Sequence, residues 1–434
     1  MPSLRSSRVV IGDEMRPATV RFESGKVVDI AEKGSADLEF GDLVVMPGLV
    51  DSHVHVDDPG RAEWEGFRTA TRAAAAGGTT TIVDMPLNSI PPTVDLDSLR
   101  AKRIAAAGHL SVDVAFWGGL IPGTKQHLGE LVAAGVCGFK SFLVDSGVPE
   151  FPPVTVGELE AALPVMAGLG VPALIHAEDP GFITEPGGDG TDYRNYLESR
   201  PVEAESEAVA EMAAVARRTG ATVHLLHLSS GQALDRLKSG PAGLSGETCP
   251  HYLTFSAEDI PSGATQFKCA PPIREAGERE SLWEGLRYGV VSMVVSDHSP
   301  APPDLKALDT GDFGRAWGGI GSLELRLQAT WTGARQRGFQ IVEMSRWLST
   351  APAALAGLDD RKGSISVGMD ADFVVWDPDD ATEVVSTRLN QRHRLTPYEG
   401  MTLRGRVRST ILAGEMICDD GDIVEGGGRM LTRR

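Results

Sequence analysis

Cysteine, aromatic residues and long hydrophobic runs are all scarce in this sequence of 434 residues. The four cysteines show no CxxC spacing, which argues against a disulfide framework and against a thiolate zinc site. No stretch approaches the ~18 consecutive apolar residues of a membrane span, and the N-terminal segment lacks the apolar core of a secretory signal. We therefore expect a cytoplasmic protein that does not contact membranes.

Positive charge is also in short supply. The chain has 41 Lys and Arg against 60 Asp and Glu, a net charge of −19 that repels phosphate backbones, so we expect no nucleic-acid partner. The hydrophobic fraction of 41% and the charged fraction of 23% are typical of a folded globular chain. The length suggests about three domains, or one large barrel with an appendage.

From Leu49 onward, short apolar runs alternate with Ala- and Glu-rich stretches, the pattern of repeated β-α units. Eight such runs precede residue 300, and eight parallel strands close a (β/α)8 TIM barrel of the α/β class. One connecting helix is predicted in detail, beginning near Pro201 and ending at Gly220. The runs are LVDSHVHV, TTTIVDMP, SVDVAFWGG, GFKSFLV, PALIHAED, TVHLLHLSS, LSGETCPH and SMVVSDHSP.

Short alternating strands occupy both ends of the chain, and we expect them to pack together as one small β-sandwich domain beside the barrel. The predicted boundaries are 1–48 for the N-terminal part of the sandwich, 49–350 for the barrel and 351–434 for the C-terminal part of the sandwich. Residues 299–322, rich in Pro, Gly and Asp, are predicted to form a loop over the barrel mouth.

Five potential metal ligands fall at the C-terminal ends of predicted barrel strands, the face where barrel enzymes carry out their chemistry. His53 and His55 alternate along one strand, so both imidazoles point to the same side. The ends of three further strands carry His176, His227 and Asp297. Imidazole and carboxylate ligands suit a divalent ion such as zinc.

Lys140 lies within an apolar run of a central strand, where burying an unpaired ammonium is costly. Two interpretations stay open: an ion pair with a carboxylate at the rim, or a neutral amine that reacts with carbon dioxide to give an anionic carbamate ligand. Among the other histidines, His251 and His298 also lie near the predicted rim. The remaining four, at positions 109, 127, 224 and 393, are interpreted as structural.

Together the segments MPGLVDSHVHV, LIHAE, LLHLSS and SDHSP and the lysine of GFKSFLV resemble the cyclic amidohydrolase branch of the amidohydrolase superfamily over nearly the whole chain. The resemblance implies a binuclear metal centre, with His53 and His55 on one ion and His176 and His227 on the other. It implies that Lys140 is N6-carboxylysine bridging both ions, and that Asp297 is both a ligand and the catalytic acid-base. It also implies a homotetramer. Two zinc ions are expected, with cobalt, manganese or iron as alternatives.

Within that branch, residues 57–93 and the segments FKCAPPIRE and SDHSPAPPDLKALDTGDFGRAWGGIGSLE are similar to the allantoinase family. This similarity implies hydrolysis of the hydantoin ring of allantoin to allantoate, in purine breakdown, by a hydroxide that bridges the metals. Candidate substrate contacts are Arg61, Asn88 and backbone groups near Ala270 and Gly319. For Arg61, a structural salt bridge is an equally good interpretation.

Three positions bear on related activities. Dihydroorotases carry a substrate-binding arginine where this chain has Asp57, whose negative charge would repel dihydroorotate. Hydantoinases and dihydropyrimidinases usually have a tyrosine at the position of Asp145, and an asparagine where Gly318 and Gly319 stand. Hydantoin or dihydropyrimidine hydrolysis remains the main alternative. A non-catalytic, dihydropyrimidinase-like scaffold would lack ligands, whereas all six ligand positions are filled here.

Overall fold

The computed structural model describes residues 1–434, which form eighteen β-strands and twelve α-helices. The strands are β1 (Ser3–Ile11), β2 (Glu14–Glu23), β3 (Lys26–Ala31), β4 (Leu38–Glu39), β5 (Val44–Pro47), β6 (Leu49–Val54), β7 (Thr79–Asp84), β8 (Asp113–Phe116), β9 (Gly118–Gly119), β10 (Phe139–Phe142), β11 (Ala173–His176), β12 (Val223–Leu225), β13 (Leu244–Thr248), β14 (Met293–Val294), β15 (Phe373–Glu383), β16 (Thr402–Leu412), β17 (Glu415–Asp419) and β18 (Asp422–Ile423).

The helices connect the barrel strands and follow the last of them. They are α1 (Phe67–Ala76), α2 (Leu96–Ala106), α3 (Leu128–Ala133), α4 (Val156–Leu169), α5 (Tyr193–Ser199), α6 (Val202–Thr219), α7 (Gly231–Lys238), α8 (Pro250–Thr254), α9 (Ala276–Arg287), α10 (Arg326–Gln336), α11 (Ile341–Ser345) and α12 (Ala351–Ala356). A π-helical turn over Arg346–Thr350 joins α11 to α12, so helical structure continues six residues past the boundary expected at residue 350.

The barrel prediction is confirmed. Each of the eight apolar runs contains a strand, and these strands pair in parallel and in chain order, with β9 continuing β8 after one residue. The ring closes between the first and last strands, where the backbone N–H of His55 donates to the carbonyl of His298 at 2.8 Å. All eight strand ends therefore meet at one face.

Helix α6 shows how the local sequence fixes an element of the barrel. Pro201 occupies the N-cap position, and Gly220 ends the helix with a positive φ of 66°, a conformation that favours glycine. Ala204, Val209 and Met212 pack into the core on the buried face of the helix. These bounds confirm the helix predicted from the sequence.

Strands from both termini form one β-domain, as predicted, and all nine are hydrogen-bonded into a single mixed sheet through the β5–β15 pair. Two strands separate β2 from β15 in the sheet order, yet the rings of Phe22 and Phe373 lie 5.9 Å apart. A flat sheet would hold such strands ~14 Å apart, so this sheet folds over on itself. Register shifts in β1, β2 and β15 mark where the strands bend.

Two segments of the C-terminal region return to the barrel. Residues 428–434 run beside its strands, where Leu431 N–H donates to the Val114 carbonyl at 2.8 Å. Residues 384–401, between β15 and β16, reach the barrel mouth, where the Thr396 hydroxyl donates to the Gly321 carbonyl at 3.0 Å. We call this second segment the β15–β16 excursion. Among the helices of this fold, none has the length and apolar character needed to span a bilayer.

Candidate metal centre and active site

A cavity of about 480 Å³ opens at the C-terminal ends of the barrel strands. Its floor includes five of the six predicted metal ligands, since only His53 lies behind the others. One wall comes from residues 314–319, within the segment 299–322 that was predicted to cover the mouth and that we call the mouth loop. The cavity lining includes His55, Lys140, His176, His227 and Asp297.

His53, in β6, and His55, just after β6, both approach Asp297. Oδ1 of Asp297 lies 3.0 Å from Nε2 of His53 and 3.5 Å from Nε2 of His55. Asp297, three residues after the end of β14, has a positive φ of 44°. Burial and the nearby Lys140 charge lower the pKa of His55 to about 3, so its imidazole is neutral, the form that ligates metals.

Lys140 projects from β10 toward the same point and is only 1% exposed. Its Nζ lies 3.3 Å from Nε2 of His53 and 4.9 Å from the centre of the Phe142 ring. It forms no ion pair with a carboxylate, which removes the structural interpretation left open by the sequence. Burial lowers the pKa of Lys140 to about 8, so a neutral amine is accessible near neutral pH.

His176 and His227 complete the group of ligands. Their ring centroids are 4.6 Å apart, and the His227 ring lies 5.4 Å from that of His53. His227 is 2% exposed, and its Nδ1 has no hydrogen-bond partner. The structure therefore brings all six predicted ligands together, and ligand atoms of His53, His227 and Asp297 lie within 4.8 Å of one another.

Two carboxylates that sequence reasoning missed orient these histidines. Oε1 of Glu247 lies 2.6 Å from Nδ1 of His53, and its Oε2 lies 3.1 Å from Nε2 of His224. Although burial opposes ionisation, these two histidines lower the pKa of Glu247 to about 2. The available signal was an acidic residue inside an otherwise apolar strand, LSGET. His224 thus supports Glu247 and lies away from the cavity lining, in keeping with its structural interpretation.

Glu178 supports His176 in the same way. Its Oε2 lies 2.7 Å from Nε2 of His176 and accepts a hydrogen bond of 2.6 Å from Arg200. The signal here was the acidic residue two positions after the histidine in LIHAED. A carboxylate behind a histidine fixes the orientation of the ring and makes its other nitrogen a better ligand.

The two histidines left open by the sequence lie behind the cavity and do not line it. His298 is fully buried, and its Nδ1 accepts from the backbone N–H of Ser322 at 3.2 Å. His251 is also fully buried, beside Asp297 and Cys249, and neither of its ring nitrogens has a hydrogen-bond partner. Neither side chain reaches the space where a substrate would bind.

Three of the four candidate substrate contacts line the cavity: Asn88, Ala270 and Gly319. The Asn88 amide also lies 3.4 Å from Nδ1 of His55. Arg61 does not line the cavity. Its guanidinium forms an ion pair with Glu150 and donates to the Asn88 carbonyl at 2.8 Å, a geometry that favours the alternative interpretation as a structural salt bridge.

The positions that were compared with dihydroorotases and hydantoinases also differ in whether they line the cavity. Asp145, Gly318 and Gly319 line the cavity, where they can affect which ring fits. Asp57 does not: its carboxyl is 1% exposed without a hydrogen-bond partner, and burial raises its pKa well above the usual range. Because this carboxyl is buried outside the cavity lining, it does not face a bound substrate, and the charge argument made for Asp57 has no support in the structure.

The donor set fits divalent cations. It consists of imidazole nitrogens, a carboxylate and a buried amine able to become a carbamate, and it includes the buried, unpartnered Nδ1 of His227. Ligands of this kind are typical of zinc, cobalt, manganese and iron sites. The cavity above them is of the size that holds a small molecule.

Comparisons with known proteins agree with this geometry. The profile of the amidohydrolase family matches residues 44–417. Allantoinase from Streptomyces avermitilis is 49% identical over 99% of this chain and 98% of its own length, and allantoinase from Saccharomyces cerevisiae is 42% identical over 96% and 95%. Among solved structures, L-hydantoinase (dihydropyrimidinase) from Arthrobacter aurescens superimposes with a TM-score of 0.93 at 29% identity, covering 100% of both chains.

Proposed function

The chain belongs to the amidohydrolase family, and we propose that it is a metal-dependent cyclic amidohydrolase that opens the hydantoin ring of allantoin to give allantoate. The observation that carries the proposal is the convergence of four histidines, Asp297 and an unpaired buried lysine at the floor of one cavity, with His53 just behind the lining. The full-length similarity to allantoinases from several kingdoms selects the substrate.

We propose that two divalent cations, zinc in the first instance, bind at this floor. His53 and His55 would hold one cation and His176 and His227 the other, with Asp297 as a further ligand and the Lys140 carbamate as the bridge. Cations in such a site polarise a carbonyl and lower the pKa of water toward neutrality. Lys140 fits this role because it is buried without a carboxylate partner. Carboxylation would replace a buried ammonium, which is costly, with an anion that lies beside the two metal cations.

The protein side chains would then handle the proton and the substrate. Asp297, whose Oδ1 faces the cavity floor, accepts the proton of the attacking water and delivers it to the departing ring nitrogen. Asn88 and the backbone at Ala270 and Gly319 line the space above it and would orient the ring. Holding the ring amide against the floor converts a slow bimolecular hydrolysis into a reaction between pre-positioned groups.

Allantoin differs from hydantoin by a ureido group, which must occupy the outer part of the cavity. Asp145 and the Gly318–Gly319 pair lie in the lining, and none of them presents a bulky side chain. Space and hydrogen-bonding capacity at these positions favour a ring that carries a polar substituent. Hydantoinase activity is the second candidate, because hydantoinases share the whole fold.

A substrate panel tests the assignment. Purified protein, with its metal content measured on the same preparation, is assayed against allantoin, hydantoin, dihydrouracil and dihydroorotate. We expect kcat/KM for allantoin to exceed the others by at least tenfold, since a site that hydrogen-bonds a polar substituent discriminates strongly against a ring lacking it. Equal or faster turnover of hydantoin or dihydrouracil would contradict the assignment.

We further propose a homotetramer in the cytoplasm. The cytoplasmic location is supported by the four cysteines, all of which are free buried thiols, as suits a reducing compartment. Light scattering on the purified protein measures the oligomeric state.

A further inference from the structure

Lys306 is a buried cation with an unusual set of partners. It lies in the mouth loop, is 3% exposed, and forms no ion pair with a carboxylate. Its Nζ donates instead to backbone carbonyls, at 2.7 Å to Gly319, 2.8 Å to Trp317 and 3.4 Å to Lys268. A buried lysine bonded only to main chain ties distant backbone segments together at one point.

All three carbonyls belong to residues that line the active-site cavity. Two backbone bonds reinforce the same junction: Trp317 N–H donates to the Leu305 carbonyl at 2.7 Å, and Gly319 N–H donates to the Lys268 carbonyl at 2.8 Å. The cavity wall formed by Trp317 and Gly319 is thus attached both to the start of the mouth loop and to the segment that leads to Ala270.

We propose that Lys306 is a positioning residue that latches the mouth loop, so that the backbone at Gly319 and the Trp317 wall are held in place to receive the substrate. Lys306 does not itself line the cavity. Its contribution to turnover rests on the proposed function, whereas its contribution to the order of the loop does not.

The latch has a defined pH dependence. Burial lowers the pKa of Lys306 to about 7, and an opened loop would return it toward about 10.4. Because the open state binds the proton more tightly, opening becomes harder as pH rises from 7 toward 10. A neutral amine still has two N–H donors, enough for the two short bonds to Gly319 and Trp317.

Other titratable groups face the same amine, and their contributions to the pH dependence must be distinguished from that of Lys306. Lys268 and Cys269 lie on the neighbouring segment, and His393 of the β15–β16 excursion lines the recess behind Lys306. Burial raises the pKa of Cys269 to about 12, so its thiol stays neutral. Burial lowers the pKa of Lys268 to about 8, and Lys268 donates to the mouth loop at Ala316. Lys268 is present in wild type and variants alike, so a pH dependence that differs between the proteins reports the Lys306 amine together with its charge interaction with Lys268.

Hydrogen–deuterium exchange of the metal-loaded, substrate-free protein tests the latch. For the peptide covering residues 305–319, after correction for intrinsic rates, we expect wild-type protection to rise with pH between 7 and 9, by up to about tenfold per pH unit from Lys306. Lys306→Met should lose most of this protection at every pH. Lys306→Arg, which cannot deprotonate, should lose the Lys306 part of the pH dependence. Lys125→Met, at an exposed lysine without hydrogen bonds, is the matched control.

Steady-state kinetics adds a second readout. Lys306→Met should raise KM for allantoin by a larger factor than it lowers kcat, and Lys306→Arg should recover part of the loss.

Wild-type exchange rates in Lys306→Met, or a pH dependence that is identical in wild type and Lys306→Arg, would overturn the latch. If the wild type hydrolyses no cyclic amide while the exchange pattern appears as expected, the proposed function fails and the latch stands. If Lys306→Met does not fold, the comparison of wild type with Lys306→Arg still decides.

Discussion

At the scale of single residues, the proposed metal centre depends on one buried amine. Lys140 is fully enclosed by the barrel, and the groups nearest its Nζ are an imidazole and an aromatic ring. An ammonium in such a place would cost several kcal/mol unless it were paired. A carbamate resolves this conflict only while cations are present, so modification and metal binding should depend on each other.

Lys140→Ala tests that dependence. We expect the wild type to hold about two divalent ions per chain and the variant to lose most of them. Activity should fall by more than the ~10–100-fold typical of losing a group that only supports a ligand. Metal content is measured by elemental analysis, with Lys125→Ala as the exposed control. Full occupancy in Lys140→Ala would remove Lys140 from the bridge.

The carboxylates behind the histidines give a second residue-scale prediction. Glu247 accepts from both His53 and His224, so Glu247→Gln removes the charge that orients the His53 ring while keeping the side-chain shape. Metal affinity or kcat/KM should fall by about 10–100-fold. Metal titration and initial rates measure the effect, and Glu284→Gln on the exposed face of α9 is the control. A variant with unchanged affinity and rate would show that the His53 ring is held by packing alone.

At the scale of elements, the barrel strands were predictable and the contacts between elements were not. Each strand is a short apolar run bounded by turns, and the position of a histidine at its end follows from the chain alone. The ion pair of Arg61 could not be predicted because its partner, Glu150, lies 89 residues away in the sequence. Glu247 was missed for the same reason, since its role depends on His53, 194 residues distant.

The β15–β16 excursion was not anticipated either, and it carries a pH prediction. Its Asn390 backbone N–H donates to the Glu324 carboxylate at 2.7 Å. Burial raises the pKa of Glu324 to about 7, above the ~4.3 of an unfolded glutamate. The folded state therefore binds the proton more tightly, and the stability linked to it is lost progressively as pH rises from about 4.3 through 7.

Glu324→Gln should remove this loss, because the neutral amide still offers an oxygen to Asn390. We expect the variant and the wild type to have similar Tm values at about pH 4.5, below which Glu324 is protonated in both states, and the variant to be more stable at pH 8. Thermal unfolding at the two pH values measures the difference, with Glu284→Gln as the exposed control. A parallel decline in Tm for wild type and Glu324→Gln would place the pH dependence elsewhere.

At the scale of the whole molecule, both ends of the chain contribute to the β-domain, and the C-terminal end also contacts the barrel. The terminal strands meet through the β5–β15 pair, and the last residues run back along the barrel. The sequence predicted that both termini would join, because strands without helices occur only there. It could not predict that they would form a single folded sheet, since that depends on which edges pair and where the strands bend.

The junction between the domains is also electrostatic. Lys362 is 2% exposed, and its Nζ lies 2.7 Å from Asp113 at the start of β8, 2.6 Å from Asp372 and 2.9 Å from Asp370. Lys362 thus joins carboxylates from the barrel and from the segment that leads into the β-domain, while Lys26 pairs with Asp370 and Arg429 with Asp113 at the edge of the cluster. Asp113 lies at the opposite end of its strand from the active site, so this cluster supports the fold and not the chemistry.

Lys362→Met should therefore destabilise the protein without altering the site. Removing one partner from a buried ion pair typically costs about 3–5 kcal/mol, because the remaining charges stay buried. Burial already raises the pKa of Asp372, and Lys362 opposes that rise, so without the ammonium the folded variant binds a proton at Asp372 more tightly and regains stability as pH falls. We expect a lower Tm at pH 8, a smaller deficit at pH 5, and kcat/KM near wild type at a temperature where the variant is folded.

Lys125→Met is the control. A Tm deficit that does not shrink on acidification would show that the loss comes from packing of the lysine side chain and not from the uncompensated carboxylates.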